Sequence, residues 1–197
     1  MKRLNIIASV PHENTYYEGF NVGVDRGAQY LLEKDLQIDL AIGDFDSIDQ
    51  DKLVPLLNKA LKVEKLDAHK DVTDLEAALS YLDLSSFNQV NVYGAIGGRL
   101  DHTLTNLNLL KKYPSILLFD DYSVTFIIKA GEYRIDKGLY KYISFYAMED
   151  TYISLREFKY PLENYHLKLD DTLCVSNEIE GNAWIKVDKD VIVVQSK

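Results

Sequence analysis

The stretch IDLAIGDFDSI, Ile38–Ile48, decides how the chain is read. Ile38, Leu40, Ala41 and Ile42 form an apolar run closed by Gly43, the pattern of a short buried strand. Asp44 and Asp46 stand at its end. Carboxylates this close repel one another unless water screens them or a cation lies between them. The pair therefore marks either a solvated turn or a divalent-metal site.

Moving outward from that strand, strand and helix patterns alternate from residue 1 to about residue 121. Strands are expected at Asn5–Val10, Val22–Val24, Ile38–Ile42, Leu61–Val63, Val90–Tyr93 and Ile116–Phe119. Between them fall helices near Tyr30–Glu33, Asp49–Ala60, Asp74–Leu82 and Leu100–Lys112; Leu53, Leu56, Leu57 and Ala60 share one face of the second. Strands separated by helices of this length imply a mostly parallel sheet covered on both faces, with ligands at the carboxyl ends of the strands. Beyond Asp121 the texture changes to short β-prone runs: Val124–Lys129, Tyr133–Ile135, Tyr140–Ala147, Tyr152–Leu155, Leu167–Leu169, Leu173–Val175, Ala183–Val187 and Val191–Gln195. Turn residues such as Glu180-Gly181-Asn182 and Asp188-Lys189-Asp190 separate them. The expected fold class is α/β: a mostly parallel α/β domain over residues 1–121, then an all-β sandwich domain over 122–197.

The 197-residue chain carries a net charge of −9 and has no Lys/Arg block, which argues against a nucleic-acid or membrane surface. No stretch approaches the roughly 18 apolar residues of a membrane span, and the first residues read as a strand, not as a signal segment. Cys174 is alone in an apolar run, so neither a disulfide framework nor a thiolate metal site is expected, and a cytoplasmic location fits. His12, His69, His102 and His166 lack metal-ligand spacing and read as surface or supporting residues; Trp184 reads as core.

Four acidic motifs fall at strand ends or helix starts. VGVDRGA places Asp25 after a strand, with Arg26 beside it and Gly27 allowing close approach of backbone. GDFDS supplies Asp44 and Asp46. KDVTDLEAAL contains a capping box in which Thr73 caps a helix and Asp74 sits in its first turn. GAIGGRLDHTLTN opens a helix with Arg99 and Asp101 after the Gly97-Gly98 pair. Taken singly, each has an ordinary explanation in dipole complementation or turn formation. Together they line the sheet edge where ligands bind. Arg26, Lys70, Arg99 and the glycines suit an anion while the carboxylates suit Mg²⁺, a combination that a nucleoside triphosphate with magnesium satisfies. Neither the P-loop motif nor G-x-G-x-x-G occurs.

The ordered set GVDRGA, IGDFDSI, KDVTDLEAAL, GAIGGRLDHTLTN, LREFKYPLEN and VSNEIEG resembles the thiamine pyrophosphokinase family across nearly the whole chain. The resemblance implies transfer of a diphosphoryl group from ATP to thiamine, giving thiamine diphosphate and AMP, by a homodimer whose active site is completed across the subunit interface. It further implies that Asp44, Asp46 and Asp74 hold magnesium on the ATP phosphates with Asp25 in support. Asp101 would contact or deprotonate the thiamine hydroxyl, and Arg26, Lys70 and Arg99 would meet the nucleotide's phosphates. Tyr160, Ser176 and Asn177 would help hold thiamine. Arg26 stands where the family often has a second glycine, and Tyr160 where a larger aromatic can occur. Two other readings stand beside this one: a haloacid-dehalogenase-type phosphatase built on Asp44 and Asp46 with Asp120-Asp121, and a non-catalytic nucleotide sensor.

Overall fold

The computed structural model describes residues 2–11 and 17–197, and His12 lies outside them. The chain divides into two compact units, Met1–Asp121 and Tyr122–Lys197.

Among the described residues, unit 1 is built on six parallel strands: β1 (Arg3–Ile7), β2 (Phe20–Val24), β3 (Leu40–Gly43), β4 (Val63–Lys65), β5 (Gln89–Tyr93) and β6 (Ile116–Phe119). Their spatial order is β4-β3-β2-β1-β5-β6. The chain steps outward from β1 to β4, then returns to place β5 on the other side of β1. That reversal leaves a crevice beyond the carboxyl ends of β1 and β5, where open α/β sheets bind ligands. The helices are α1 (Arg26–Glu33), α2 (Gln50–Lys59), α3 (Asp74–Tyr81) and α4 (Leu100–Lys112). α3 buries Leu75, Ala78 and Leu79, and α4 buries Leu109 and Leu110, the one-sided apolar spacing of helices laid on a sheet. α2 buries only Leu56, while Leu57 is exposed, so its apolar face is narrower than its sequence suggests. β1 also ends earlier than expected. Ala8 N still donates to Tyr93 O at 2.8 Å, but Ala8 and Ser9 then line the crevice.

A row of amides crosses the middle of this sheet. Asn21, Asn5 and Asn91 sit side by side on β2, β1 and β5, all almost fully buried. Asn5 Nδ2 donates to Asn21 Oδ1 at 3.0 Å, and Asn91 Nδ2 to Asn5 Oδ1 at 3.1 Å. A one-residue slip would strand these amides against apolar neighbours, so the row fixes the register of the three central strands.

Unit 2 contains seven strands: β7 (Ser123–Ile128), β8 (Gly131–Arg134), β9 (Tyr142–Ala147), β10 (Thr151–Phe158), β11 (Leu162–Leu167), β12 (Ile179–Val187) and β13 (Val191–Ser196). β7-β13-β9 pair antiparallel, as do β11-β10-β12-β8. Ile143, Phe145, Val191 and Val193 from the first group pack with Ile153, Leu155, Ile185 and Val187 from the second, which is the expected sandwich.

Four expectations from the sequence differ from the structure. Leu173–Val175 is a turn, not a strand: Leu173 and Val175 are exposed and only Cys174 points inward, so the residues alternate like a strand while a backbone bond, from Phe145 N to Cys174 O at 2.8 Å, ties them to β9. The strand expected at Leu167–Leu169 ends at Leu167, and Glu180-Gly181-Asn182 lies inside β12 instead of breaking it. Asn182 N donates to Glu157 Oε2 at 2.7 Å, and a Cβ on Gly181 would sit 2.2 Å from that oxygen, so this glycine admits a carboxylate across the strands. Trp184 is not core. Its neighbours Ala183 and Ile185 take the inward positions, and the period of two turns Trp184 outward, 41% exposed.

Candidate active site

The crevice of unit 1 has a volume of about 520 Å³ and is lined by residues that include Ser9, Asp25, Arg26, Asp74, Arg99 and Asn106. Local chain geometry delivers each acidic group. Asp25 follows β2 and precedes α1 with φ 44°, a left-handed conformation costly for a residue with a side chain. Its Oδ1 accepts from Phe45 N at 3.2 Å, joining the β2 and β3 ends. Gly43 makes this possible: a Cβ there would lie 1.8 Å from Asp25 Oδ1, and its φ of 153° already favours glycine. Asp44 comes next, and its Oδ1 accepts from Asp46 N at 3.0 Å. Thr73 caps α3 by accepting from Glu76 N at 3.2 Å, as the capping box requires, and so fixes Asp74 in the first turn.

Asp25, Asp44 and Asp74 converge, each offering one carboxylate oxygen within 4.8 Å of the others. Lys70 is their cationic neighbour, with Nζ 2.6 Å from Asp74 Oδ1 and 4.0 Å from Asp44 Oδ2. Burial, then the charges of Asp74 and Asp44, raise the Asp25 carboxyl to about 7, against an opposing hydrogen bond from Phe45 N and the charge of Lys70. Burial pulls the Lys70 ammonium down, but Asp74 and Asp44 outweigh it and hold the group above its ordinary value. Asp46 lies outside the three-carboxylate group, with an exposed side chain, and the neighbouring Asp44 raises its carboxyl.

The site fits a hard divalent cation. Its donors are all carboxylate oxygens, and Asp74 Oδ1 is buried, met among the described residues by the Lys70 ammonium at 2.6 Å.

Arg99 lines the crevice and forms a mutual pair with Asp101, with Arg99 Nε 3.1 Å from Asp101 Oδ1 and Nη2 2.5 Å from Oδ2. Both side chains are exposed, and Arg99 holds the Asp101 carboxyl below the usual range. The expected division, Arg99 toward phosphate and Asp101 toward an acceptor, thus begins from a state in which each faces the other. Arg26 opens α1 at the crevice lip, exposed. The motif reading gave Asn106 no role, yet it lines the crevice, is buried, and donates from Nδ2 to Ala95 O at 2.7 Å. A polar residue on the apolar face of α4, beside Leu109 and Leu110, was the signal.

In unit 2, Tyr160 and Ser176 are exposed, but Asn177 is buried and its amide is spent. Asn177 Oδ1 accepts from Tyr160 N at 3.0 Å and from Glu178 N at 2.9 Å, and its Nδ2 donates to Tyr160 O at 2.8 Å. Asn177 thereby clamps the backbone of Tyr160.

Unit 1 defines a class: an α/β protein with a carboxylate-lined crevice at its sheet reversal, suited to an anionic ligand taken with a divalent cation. Comparison with known proteins makes this specific. Residues 15–119 match the family model for the thiamin pyrophosphokinase catalytic domain, and residues 132–192 the model for its vitamin B1 binding domain. The thiamine pyrophosphokinase of Bacillus subtilis (strain 168) is 36% identical over 193 residues, covering 91% of this chain and 90% of that protein. The crystal structure of a Bacillus subtilis thiamine pyrophosphokinase superposes with a TM-score of 0.88 at 32% identity, covering 100% of this chain and 99% of that one. A thiamin pyrophosphokinase family protein from Enterococcus faecalis gives 0.88 at 28% identity with the same coverage. The chain belongs to the thiamine pyrophosphokinase family, and the resemblance and the fold class read from the sequence are both borne out. Among the described residues no helix is long and apolar enough to cross a membrane.

Proposed function

We propose that this chain transfers the diphosphoryl group of ATP to the hydroxyl of thiamine, forming thiamine diphosphate and releasing AMP. The observation that carries the reading is the convergence of Asp25, Asp44 and Asp74 in an arginine-flanked crevice, in a chain of this family. In the reaction the acceptor oxygen forms a bond to the β-phosphorus, the bond from that phosphorus to the α–β bridging oxygen breaks, and AMP leaves with that oxygen. Asp25, Asp44 and Asp74 would hold magnesium, with Asp46 at its margin. The bound ion supplies neutralisation of phosphate charge.

The chain's own groups do the rest. Arg26, Lys70 and Arg99 meet phosphate oxygens. Asp101, released from Arg99 as the nucleotide draws that guanidinium away, orients the acceptor hydroxyl or takes its proton. The exposed ring of Tyr160 offers a stacking face for the thiazolium cation, worth about 1 kcal/mol, and Ser176 a neighbouring hydroxyl. Asn177 serves the thiamine site through Tyr160, by holding its backbone. The active protein in this reading is a cytoplasmic homodimer whose active sites are completed across the subunit interface. Residues 1–121 act as the catalytic, nucleotide-binding part, and 122–197 bind thiamine and carry the dimer contact. Cys174, a buried free thiol, accords with a reducing compartment.

Incubation with ATP, Mg²⁺ and thiamine tests the reading. AMP and thiamine diphosphate should appear in equal amounts and only with all three present. Orthophosphate release from phosphomonoesters without any need for thiamine would favour the phosphatase, and tight ATP binding with no turnover would favour the sensor.

A further inference from the structure

We propose that Lys70 is a built-in counter-ion that holds the cation position of the carboxylate cluster until a divalent ion and the nucleotide arrive together, so that uptake of the metal depends on the nucleotide. The proposal rests on the reading of Asp25, Asp44 and Asp74 as the metal site.

Three observations support it. The first is position: Lys70 Nζ lies 2.6 Å from Asp74 Oδ1 and 4.0 Å from Asp44 Oδ2, against two of the three carboxylates that would hold the ion. The second is dependence. Asp74 Oδ1 is buried and, among the described residues, the donor that meets it is the Lys70 ammonium, which supplies the compensation that a buried charge requires. The third is freedom to leave. Lys70 precedes the Thr73 cap, outside α3, in a turn in which Lys70 N meets Asp67 O at 3.4 Å and His69 N meets Asp67 Oδ1 at 2.8 Å. Its Nζ keeps a second acceptor there, Asp67 O at 3.3 Å. The side chain can therefore swing away without unwinding the helix that fixes Asp74.

A divalent ion seated on Asp74 Oδ1 would stand close to the Lys70 ammonium. Two cations at contact distance in a partly buried site repel strongly, so they do not share the oxygen. Metal alone must displace a tethered competitor and binds weakly. With a polyphosphate present, the displaced ammonium gains a new anion, and part of the cost of leaving Asp74 is recovered. Metal and nucleotide then bind with positive coupling, and by linkage each strengthens the other equally. An apoenzyme built this way does not sit charged with free metal.

Mn²⁺ binding to the nucleotide-free protein, followed by electron paramagnetic resonance of the free ion, gives the test. Lys70→Met removes the competitor and should bind Mn²⁺ about tenfold tighter than the parent, whereas Lys70→Arg, which keeps the charge, should stay close to the parent. Adding a non-hydrolysable ATP analogue should tighten Mn²⁺ binding strongly in the parent and much less in Lys70→Met. Lys70→Gln provides a second neutral variant should the Met protein fail to melt cooperatively. If neutral variants bind Mn²⁺ no tighter than the parent while Asp74→Asn binds it more weakly, Lys70 is not the competitor and the metal site stands. If Mn²⁺ binding is unaffected by Asp74→Asn, the metal-site reading fails and takes this proposal with it.

Discussion

The crevice of unit 1 and the Asn177 corner of unit 2 treat their enclosed polar groups in opposite ways. In the crevice of unit 1, Asp25, Asp44 and Asp74 crowd within 4.8 Å of one another with one ammonium against them, on a backbone that keeps Asp25 and Phe45 at positive φ. In unit 2, Asn177 is more deeply enclosed than these carboxylates, yet each polar atom of its amide has a partner in Tyr160 or Glu178. Crowded like charges persist only where the fold overrides local preference, and such places are where ligands are handled. A fully satisfied amide marks scaffold. The contrast separates groups that wait for a ligand from groups that hold others in place, and substitutions on each side should behave differently.

The largest effect is expected from Asp74→Asn. The Thr73 cap and the buried face of α3 are untouched, so the protein should melt close to the parent. Turnover should fall by roughly 10²–10³-fold, the scale for removing a group that holds charge at a reacting centre. Steady-state AMP formation at saturating ATP and thiamine, over a wide range of Mg²⁺, measures it. Activity within a factor of about three of the parent would erase the distinction between the two regions.

Asn177→Ala should fail in the other direction, through stability. It leaves Tyr160 N, Tyr160 O and Glu178 N without partners in a partly buried corner, a cost of about 1–3 kcal/mol. Urea unfolding reads the loss directly. At temperatures where the variant is folded, KM for thiamine should rise several-fold through the loosened Tyr160, with kcat and KM for ATP changed little. A variant as stable as the parent with a lower kcat would make Asn177 a ligand contact and not a clamp.

Much of this was legible in the chain. Thr73–Glu76 announced α3, and Leu100–Lys112 and Ile116–Phe119 stand where their patterns put them, because local spacing and capping carry those elements. Asp25, Asp44 and Asp74 were visible as candidates, since each follows a strand or opens a helix. Their relative standing was not. Only the fold, through the Gly43 gap and the Phe45 N contact, sets Asp25 rather than Asp46 beside Asp44 and Asp74. The row of Asn5, Asn21 and Asn91 was hidden for a related reason: a buried amide breaks the apolar pattern of its own strand, and its partners lie on strands distant in sequence. Trp184 misled because its hydrophobicity says core while its position in the alternation of β12 says surface.

The smallest effect concerns pH and sharpens the contrast most finely. In the metal-free protein Asp25 faces Asp44, Asp74 and Lys70, with Phe45 N on its Oδ1, and its carboxyl is raised from 3.8 to about 7. The folded state then binds more protons than the unfolded chain between those values. Stability from this group is therefore fully present below pH 3.8 and declines as pH rises toward 7, flattening above it. Because the group is partly exposed, solvent screening reduces the effect to an order of 1–2 kcal/mol. Asp25→Asn keeps an acceptor for Phe45 N and removes the charge, so the metal-free variant should be more stable than the parent at pH 8 and lose that advantage by pH 4. Chemical unfolding of both proteins in chelator at the two pH values measures the difference. Saturating Mg²⁺ should reverse the order at pH 8, since the parent's carboxylate then has a partner that the amide cannot match. A stability difference that does not vary with pH, with or without the ion, would mean that the three carboxylates do not share one electrostatic site.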